Sequence, residues 1–238
     1  MKKVLYLAVV VLLSMSSSIV LTSCGDDDDG ETSVSTKDLT LYVGSKTNIS
    51  GAKSIVPDNK FIALVDNNLE IEGWHVGSTS LLVNGNKKIN LTVRGRYHFY
   101  DDPVTDWGTS MSNVKSKQKQ GTLSNETQDV LVYKNVGSAE LLGYTFEKGK
   151  LKAALAQVKT SYTTSLIDYL NERYLILPEE VATYTYMGAD GLDKTTMKTL
   201  VMIEVQSASY IIVYYLPYSS ANKAPEAEVQ KLRKKLML

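Results

Sequence analysis

The feature that most constrains the fold is a two-residue alternation of apolar and polar side chains in short segments between residues 36 and 95. LTLYV (39–43), LEIEG (69–73) and INLTV (89–93) follow this pattern. Alternation with a period of two is typical of strands that bury one face. Asn84-Gly85 is a strong signal of a hairpin turn between two such segments. About sixty residues of short strands at this spacing predict a small all-β sandwich.

The same segment resembles a group 2 bacterial Ig-like domain. LTLYVGSKTNI (39–49), NNLEIEGWHVGSTSLLV (67–83) and INLTV (89–93) carry the resemblance, whereas VPDNKFIALVDNN (56–68) departs from the pattern of that family. The resemblance implies an Ig-like domain over residues 36–95 that serves as a spacer or adhesive unit. It implies no catalytic residues.

A different pattern begins at Arg96, where the chain falls into two similar halves. Each half has one candidate helix followed by three candidate strands. The expected product is an α+β domain over residues 96–219, with one antiparallel sheet and both helices on one face. The candidate helices are 109–118 and 163–174, and the candidate strands are 129–134, 140–146, 151–158, 181–187, 199–205 and 210–216.

This order of elements is similar to the tandem helix-plus-sheet repeats of beta-lactamase inhibitor proteins and of small outer-membrane assembly lipoproteins. The similarity lies in the order of elements alone and transfers no functional residue. Taken together, the patterns predict a multi-domain fold, with an all-β Ig-like sandwich followed by an α+β domain.

Residues 220–238 are predicted to form a charged helical tail. Pro225 lies near its start, and Val229, Leu232 and Leu236 fall on one stripe. The tail is expected to pack on the body of the protein. The alternative is contact between its basic side chains and anionic lipid.

Residues 1–23 have the organisation of an export signal. Lys2 and Lys3 precede a short apolar core, and small residues follow it. Leu21-Thr22-Ser23-Cys24 resembles the lipobox of bacterial lipoproteins, which implies cleavage before Cys24 and its acylation, for example with palmitate. Several acyl chains, at about 0.8 kcal/mol per buried CH₂, anchor a protein firmly to a membrane. The alternative is a free thiol that follows an ordinary signal peptide.

An acidic run, formed by Asp26, Asp27, Asp28 and Asp29, follows the cysteine. Adjacent like charges repel one another and resist local folding, which predicts a solvated tether over residues 24–35. Acidic residues at this position resemble the export tag of Bacteroidetes-type lipoproteins. That resemblance implies display on the outer face of the outer membrane. A calcium site is the alternative, but the run lacks the spaced oxygen ligands of an ordered calcium loop.

The sequence offers little that could support catalysis. His75 and His98 are the only histidines, and neither belongs to a metal-binding or catalytic motif. Asp101 and Asp102 could act in a sugar-cleaving site, although adjacent carboxylates are commonly solvated loop residues. Lys plus Arg and Asp plus Glu each number 26, so no basic excess favours nucleic acid. We expect no enzyme, no cofactor and no metal site.

Tyrosine is the residue type that stands out, because all but two of the 15 tyrosines lie from Tyr97 onward. Alternate residues of a strand share a face, so Tyr184 projects with Tyr186, and Tyr210 with Tyr214. Tyrosine is favoured at interfaces because the ring buries area while the hydroxyl keeps a partner. These four residues are the candidate partner-binding surface. The alternative is that tyrosine simply suits half-buried strands.

The strand candidate at 210–216 is apolar on both faces. Such a strand requires cover on both sides, and the predicted helices cover only one. The Ig-like domain, the C-terminal helix or another molecule is expected to cover the second side.

These observations favour a non-enzymatic lipoprotein of the outer membrane, exposed at the cell surface. Its Ig-like spacer would present an α+β domain that binds a protein or glycan partner. The alternative is a periplasm-facing envelope-assembly or inhibitor-type lipoprotein, and a lesser alternative is a glycan-active enzyme.

Overall fold

The structure, a computed structural model, describes Val34, residues 37–177 and 186–218, and Lys234. The predicted signal peptide, Cys24, the acidic run and all of the C-terminal tail except Lys234 lie outside the described residues. The described chain is rich in β-structure and forms three sheets. No helix in this part of the chain is long and apolar enough to cross a membrane.

The N-terminal part, residues 37–94, contains two small sheets. A four-stranded sheet has the order β1-β7-β6-β3, and a three-stranded sheet has the order β2-β5-β4. Strand β1 runs parallel to β7, and the other pairs are antiparallel. The strands are β1 (Leu39–Tyr42), β2 (Lys46–Thr47), β3 (Ile55–Pro57), β4 (Ala63–Val65), β5 (Ile71–Gly73), β6 (Gly77–Val83) and β7 (Lys87–Arg94).

Both small sheets contribute to one hydrophobic core. Leu81 and Leu91 of the four-stranded sheet and Ala63 and Ile71 of the three-stranded sheet are fully buried in it. Val34 also packs in this core and is only 6% exposed. The sequence analysis placed Val34 in the solvated tether over residues 24–35, and its burial contradicts that part of the prediction. A tether can extend only to the residues before Val34.

The hairpin between β6 and β7 follows the local prediction. Asn84 and Gly85 have φ angles of 52° and 72°, the left-handed conformation that such turns require. The predicted alternation in β7 is confirmed, because Ile89, Leu91 and Val93 are no more than 1% exposed.

The C-terminal part, from Arg96, contains one large antiparallel sheet with the order β12-β13-β14-β15-β11-β10-β9-β8. Its helices are α1 (Met111–Lys117) and α2 (Thr163–Asn171), the latter preceded by a 3₁₀ turn (Thr160–Tyr162). Its strands are β8 (Thr122–Thr127), β9 (Val130–Val136), β10 (Ala139–Glu147), β11 (Lys150–Lys159), β12 (Leu175–Leu177), β13 (Tyr186–Ala189), β14 (Thr199–Val205) and β15 (Tyr210–Pro217).

The prediction of three strands after each helix was wrong, because four strands follow each one. Strand β8 was not predicted because its sequence, TLSNET, is polar and shows no apolar alternation. All six of its residues are exposed in the structure. Strand β12 was not predicted because it has only three residues. Of the predicted strand at 181–187, Tyr186 and Met187 lie in β13, and residues 178–185 lie outside the described range.

Both helices contribute to the core on one face of the large sheet, which we call the helix face. Val114 of α1 and Leu166, Tyr169 and Leu170 of α2 are at most 1% exposed there. The α2 residues lie at helical spacing, as the sequence predicts. A separate cluster of buried strand residues forms on the opposite face, which we call the outer face.

Candidate functional site

Of the four tyrosines proposed as a partner-binding surface, the structure describes the side chains of Tyr210 and Tyr214. Tyr184 lies outside the described residues, and of Tyr186 only the backbone is described. Tyr210 is half-buried at the start of β15. Tyr214 is fully buried on the outer face, where its hydroxyl donates to Glu204 Oε2 at 2.9 Å. The expectation that Tyr214 is available to a partner was therefore wrong, because its ring has no exposed surface in the folded chain.

Other tyrosines cluster inside the helix face. Tyr100, Tyr169, Tyr174 and Tyr215 are all at most 8% exposed. The Tyr100 and Tyr215 hydroxyls share a 2.5 Å hydrogen bond, and the rings of Tyr100 and Tyr169 lie 4.6 Å apart. Burial raises the pKa of Tyr169, Tyr174 and Tyr215 well above the ordinary value, so these side chains stay neutral. Core packing thus accounts for these four of the tyrosines that stood out in the sequence.

The tyrosine cluster ends at a pair of charged groups. Tyr169 donates its hydroxyl hydrogen bond to Asp102 Oδ1, and Arg173 Nε lies 2.5 Å from the same oxygen. The Arg173 guanidinium stacks on the Tyr169 ring at 3.8 Å from its centroid. The Arg173 side chain is only 11% exposed. Burial by itself lowers the pKa of Arg173, but neighbouring negative charge, chiefly that of Asp102, outweighs it and leaves the pKa raised, so the cation is retained.

Glu172, the residue before Arg173, joins the N-terminal and C-terminal parts. Its carboxylate is almost completely buried and accepts hydrogen bonds from the backbone N–H groups of Arg96 at 2.8 Å and Tyr97 at 3.0 Å. Its backbone carbonyl accepts from the N–H of Val76 at 2.8 Å. One residue after α2 therefore holds both the end of the N-terminal part and the segment that follows it.

Arg96 and Leu175 complete this junction. Arg96 Nε donates to the Val43 carbonyl at 2.8 Å, and its Nη2 donates to Ser45 Oγ at 3.0 Å. Leu175 of β12 packs against the N-terminal core. Hydrogen bonds, a buried charge and apolar contact together fix the two parts relative to one another.

Replacing Gly95 with alanine is expected to destabilise the protein by about 1–3 kcal/mol, the usual cost of forcing an extra carbon into a packed site. A Cβ atom at Gly95 would lie 2.7 Å from Glu172 Oε2 and 3.2 Å from Arg173 Nη1. Denaturant unfolding measures the cost. In a Glu172→Ala background the same substitution should cost less, and an unchanged cost would show that the carboxylate is not the obstacle.

A groove of roughly 460 Å³ opens beside this junction and is called here the junction groove. Tyr42, which is 48% exposed, stands in its wall. Burial, and then the neighbouring charge of Asp102, raises the pKa of the Asp101 carboxyl. The polar and charged side chains that line the groove are Ser78, Thr92, Arg94, His98, Asp101, Asp102 and Arg173.

A second groove, of roughly 660 Å³, lies where the chain enters α1. Trp107 is half-buried there, and its Nε1 donates to Thr199 Oγ1 at 3.3 Å. Lys198 and Tyr218 stand in its wall. This groove is formed by the C-terminal part alone, whereas the junction groove needs both parts.

The two histidines occupy unlike environments. His75 is 4% exposed, stacks on the Phe61 ring at 3.9 Å, and donates from Nδ1 to the Phe61 carbonyl at 2.8 Å. His98 is exposed in the junction groove. Within the described ranges, no group of three His, Cys, Asp or Glu side chains is arranged to hold a metal ion.

The stability of the protein is expected to fall as the pH drops below about 6.5 because of His75. Burial, opposed by the hydrogen bond to Phe61, lowers the pKa of folded His75 below its ordinary value of 6.5. The unfolded chain therefore binds a proton first, and protonation favours unfolding until the pH passes below the folded pKa. Urea unfolding at several pH values, with His75→Asn and the exposed His98→Asn for comparison, isolates this contribution. An unchanged pH slope in His75→Asn would contradict the assignment.

Sequence reasoning missed Glu172 and its partners. The carboxylate and the N–H of Arg96 are 76 positions apart in the chain. The only local signal was a Glu-Arg pair at the end of a predicted helix, which is ordinarily a solvated feature.

No protein-family model matches this chain, and no curated protein is significantly similar to it. The geometry of the described residues is therefore the main basis for a functional proposal.

Proposed function

We propose that this chain is a non-enzymatic lipoprotein displayed on the outer membrane, which binds a protein or glycan partner at the junction groove. Cys24 carries the lipid, and Asp26 to Asp29 form the export tag and tether. An Ig-like domain over residues 36–95 acts as the spacer, and an α+β domain over residues 96–219 completes the binding surface.

The domain assignments draw support from the arrangement of sheets and cores. Two small sheets with a common core and a hairpin at Asn84 agree with an Ig-like sandwich. One antiparallel sheet with both helices on one face agrees with an α+β domain.

The observation that carries the binding proposal is that a fixed junction holds an open groove with charged, hydroxyl and aromatic side chains in its wall. Buried Glu172 and Arg173 set the position of the walls, and Tyr42 offers an exposed aromatic ring. Binding to a preformed groove costs little ordering entropy. Charges of both signs together with hydroxyl groups suit a polar ligand such as a glycan or a protein segment.

Ligand capture tests the groove. Purified protein bearing Tyr42→Ala or Asp101→Asn should lose tenfold or more of its binding to a glycan array or to envelope proteins. Tyr162→Ala provides a control, because Tyr162 is 44% exposed but is not part of the groove wall. Equal capture by the groove variants and the parent protein would refute the assignment of the groove.

A separate experiment tests the anchor and its orientation. Cys24→Ala should move the protein from the membrane fraction to the soluble fraction, and mass spectrometry of the N-terminal peptide should show acylation at Cys24. Protease added to intact cells should digest the parent protein. A bare thiol at Cys24 would refute the anchor, and protection from protease would refute surface display.

A periplasm-facing inhibitor or assembly lipoprotein remains the second candidate. The order of one helix and four strands occurs twice, and the last strands of the two halves, β11 and β15, pair at the centre of the large sheet. This pseudo-symmetry supports the similarity to tandem helix-plus-sheet inhibitor proteins. Protection of the protein in intact cells, combined with capture of a periplasmic protein, would favour this function.

A further inference from the structure

The second groove, whose wall includes Trp107, Lys198 and Tyr218, is called here the Trp107 groove. Trp107 packs partly against the core of the helix face and also stands in the groove wall. Its indole Nε1 donates to Thr199 Oγ1 at 3.3 Å, and Thr199 is only 1% exposed. A buried hydroxyl group therefore fixes the orientation of an aromatic ring that is only half-covered.

The turn that carries Trp107 is held to the large sheet. The N–H of Thr109 donates to the Asp106 carbonyl at 3.0 Å, and Gly108 has a φ of 81°, which favours glycine. The Gly108 N–H donates to the Leu151 carbonyl at 3.0 Å, and the Leu151 N–H donates to the Thr109 carbonyl at 2.9 Å. These bonds keep the indole in place before any ligand arrives, so binding costs little ordering entropy.

Another part of the wall lies beside the start of β14 and the end of β15. The Asp190 carboxylate accepts hydrogen bonds from the N–H groups of Lys198 at 2.7 Å and Thr199 at 2.8 Å. The Tyr218 N–H donates to the Lys198 carbonyl at 2.7 Å. The backbone of Lys198 is therefore fixed on both sides, whereas its side chain is exposed.

The charges at the Trp107 groove favour an anionic ligand. Asp106 and Lys198 are the charged residues of the groove wall, and Asp106 already pairs with Lys117. Among the described residues, Lys198 has no ion-pair partner. An exposed ammonium group in the same wall as a fixed aromatic ring is thus left to interact with solvent or with an anion.

We propose that the Trp107 groove binds an acidic sugar, a pyranose ring that bears a carboxylate, with Trp107 as the stacking platform and Lys198 as the counter-ion. The C–H groups on one face of a pyranose carry partial positive charge, which suits the electron-rich face of an indole ring. Hydroxyl groups at the edge of the sugar can bond to Thr105 and Thr109 in the wall. The groove volume, roughly 660 Å³, lies in the range of small-ligand sites.

The Trp107 groove suits a sugar better than a peptide strand. Both β14 and β15 are paired with a neighbour on each side, so neither offers a free edge to which an extended peptide could add. The groove belongs to the C-terminal part alone, and its ligand does not depend on what the junction groove binds.

Tryptophan fluorescence tests the site directly, because the chain has two tryptophans and Trp74 stands in neither groove wall. Trp74→Phe leaves Trp107 as the only tryptophan, and oligosaccharides of galacturonate, glucuronate and mannuronate serve as probes. At least one of them should change the Trp107 emission in a saturable way. Its methyl ester keeps the sugar ring and removes the charge, and should bind at least fivefold more weakly. The absence of a saturable change with all three probes would overturn the proposal.

Substitutions separate the two contacts. Lys198→Gln should weaken binding of the acidic oligosaccharide fivefold or more and leave binding of its methyl ester unchanged. Lys194→Gln is the matched control, because Lys194 is also exposed but is not part of the groove wall. Trp107→Ala should lose tenfold or more of the binding measured by isothermal titration calorimetry, and the lysine comparison does not depend on how well this variant folds. Equal binding of acid and ester, or equal effects of the two lysine substitutions, would refute recognition of an acidic sugar.

Discussion

Replacing Tyr169 with alanine is expected to lower the free energy of unfolding by about 3–5 kcal/mol, the range found when a large buried aromatic side chain is removed. Tyr169 is fully buried between α2 and the large sheet. Its ring contacts Tyr100 and carries the Arg173 guanidinium, and its hydroxyl donates to Asp102. Alanine would leave a cavity and would also remove the surface that supports the cation.

Denaturant unfolding followed by circular dichroism measures this loss. Tyr169→Phe retains the ring and should cost only about 1–2 kcal/mol, because Asp102 keeps its contact with Arg173. Tyr162→Ala should cost less than about 1 kcal/mol, since Tyr162 is 44% exposed. A cost for Tyr169→Ala as small as that for Tyr162→Ala would contradict the central role of the tyrosine cluster.

Replacing Glu172 with alanine is expected to cost about 3 kcal/mol, because a buried carboxylate with several partners would be lost. The N–H groups of Arg96 and Tyr97 would lose their acceptor, and Arg173 would lose a carboxylate at 3.6 Å. The N-terminal and C-terminal parts would then be joined less firmly, so unfolding should become less cooperative.

Two measurements test the expected loss of cooperativity in Glu172→Ala. Unfolding should broaden or separate into two transitions, and hydrogen exchange at the amides of Arg96 and Tyr97 should accelerate. Glu126→Ala is the matched control. Glu126 pairs with Lys115 at 2.8 Å but is 42% exposed, so its loss should cost less than about 1 kcal/mol. Equal effects of the two substitutions would show that the junction does not depend on Glu172.

The same substitution connects stability to binding. The junction groove has walls from both parts, with Tyr42 and Arg94 on one side and Asp101 and Arg173 on the other. If Glu172 holds these walls in place, Glu172→Ala should weaken ligand capture even though Glu172 is not among the residues that line the groove. Tyr42→Ala should weaken capture without changing stability appreciably.

Local patterns in the chain were sufficient to predict several elements. Alternation placed Ile89, Leu91 and Val93 in a core, and Asn84-Gly85 predicted a hairpin. Helical spacing predicted the buried side of α2. These predictions succeeded because side-chain periodicity and turn conformation depend on residues that are close together in the chain.

Position along the chain was a poor guide to the exposure of tyrosines. Tyr214 and Tyr42 are both strand residues flanked by apolar neighbours, yet Tyr214 is fully buried and Tyr42 is 48% exposed. Strand periodicity tells which residues share a face, but not which other layer, if any, covers that face.

The junction groove and the buried pair Glu172 and Arg173 were not predictable from the sequence and were identified only in the folded structure. Their partners are far away in sequence: Arg173 meets Asp102 across 71 positions, and Tyr100 meets Tyr215 across 115. Which distant groups meet depends on sheet order and on how the two parts pack, and side-chain periodicity encodes neither. Local chemistry thus accounts for the strands, turns and helices, whereas long-range packing decides which charges are buried and where a groove opens.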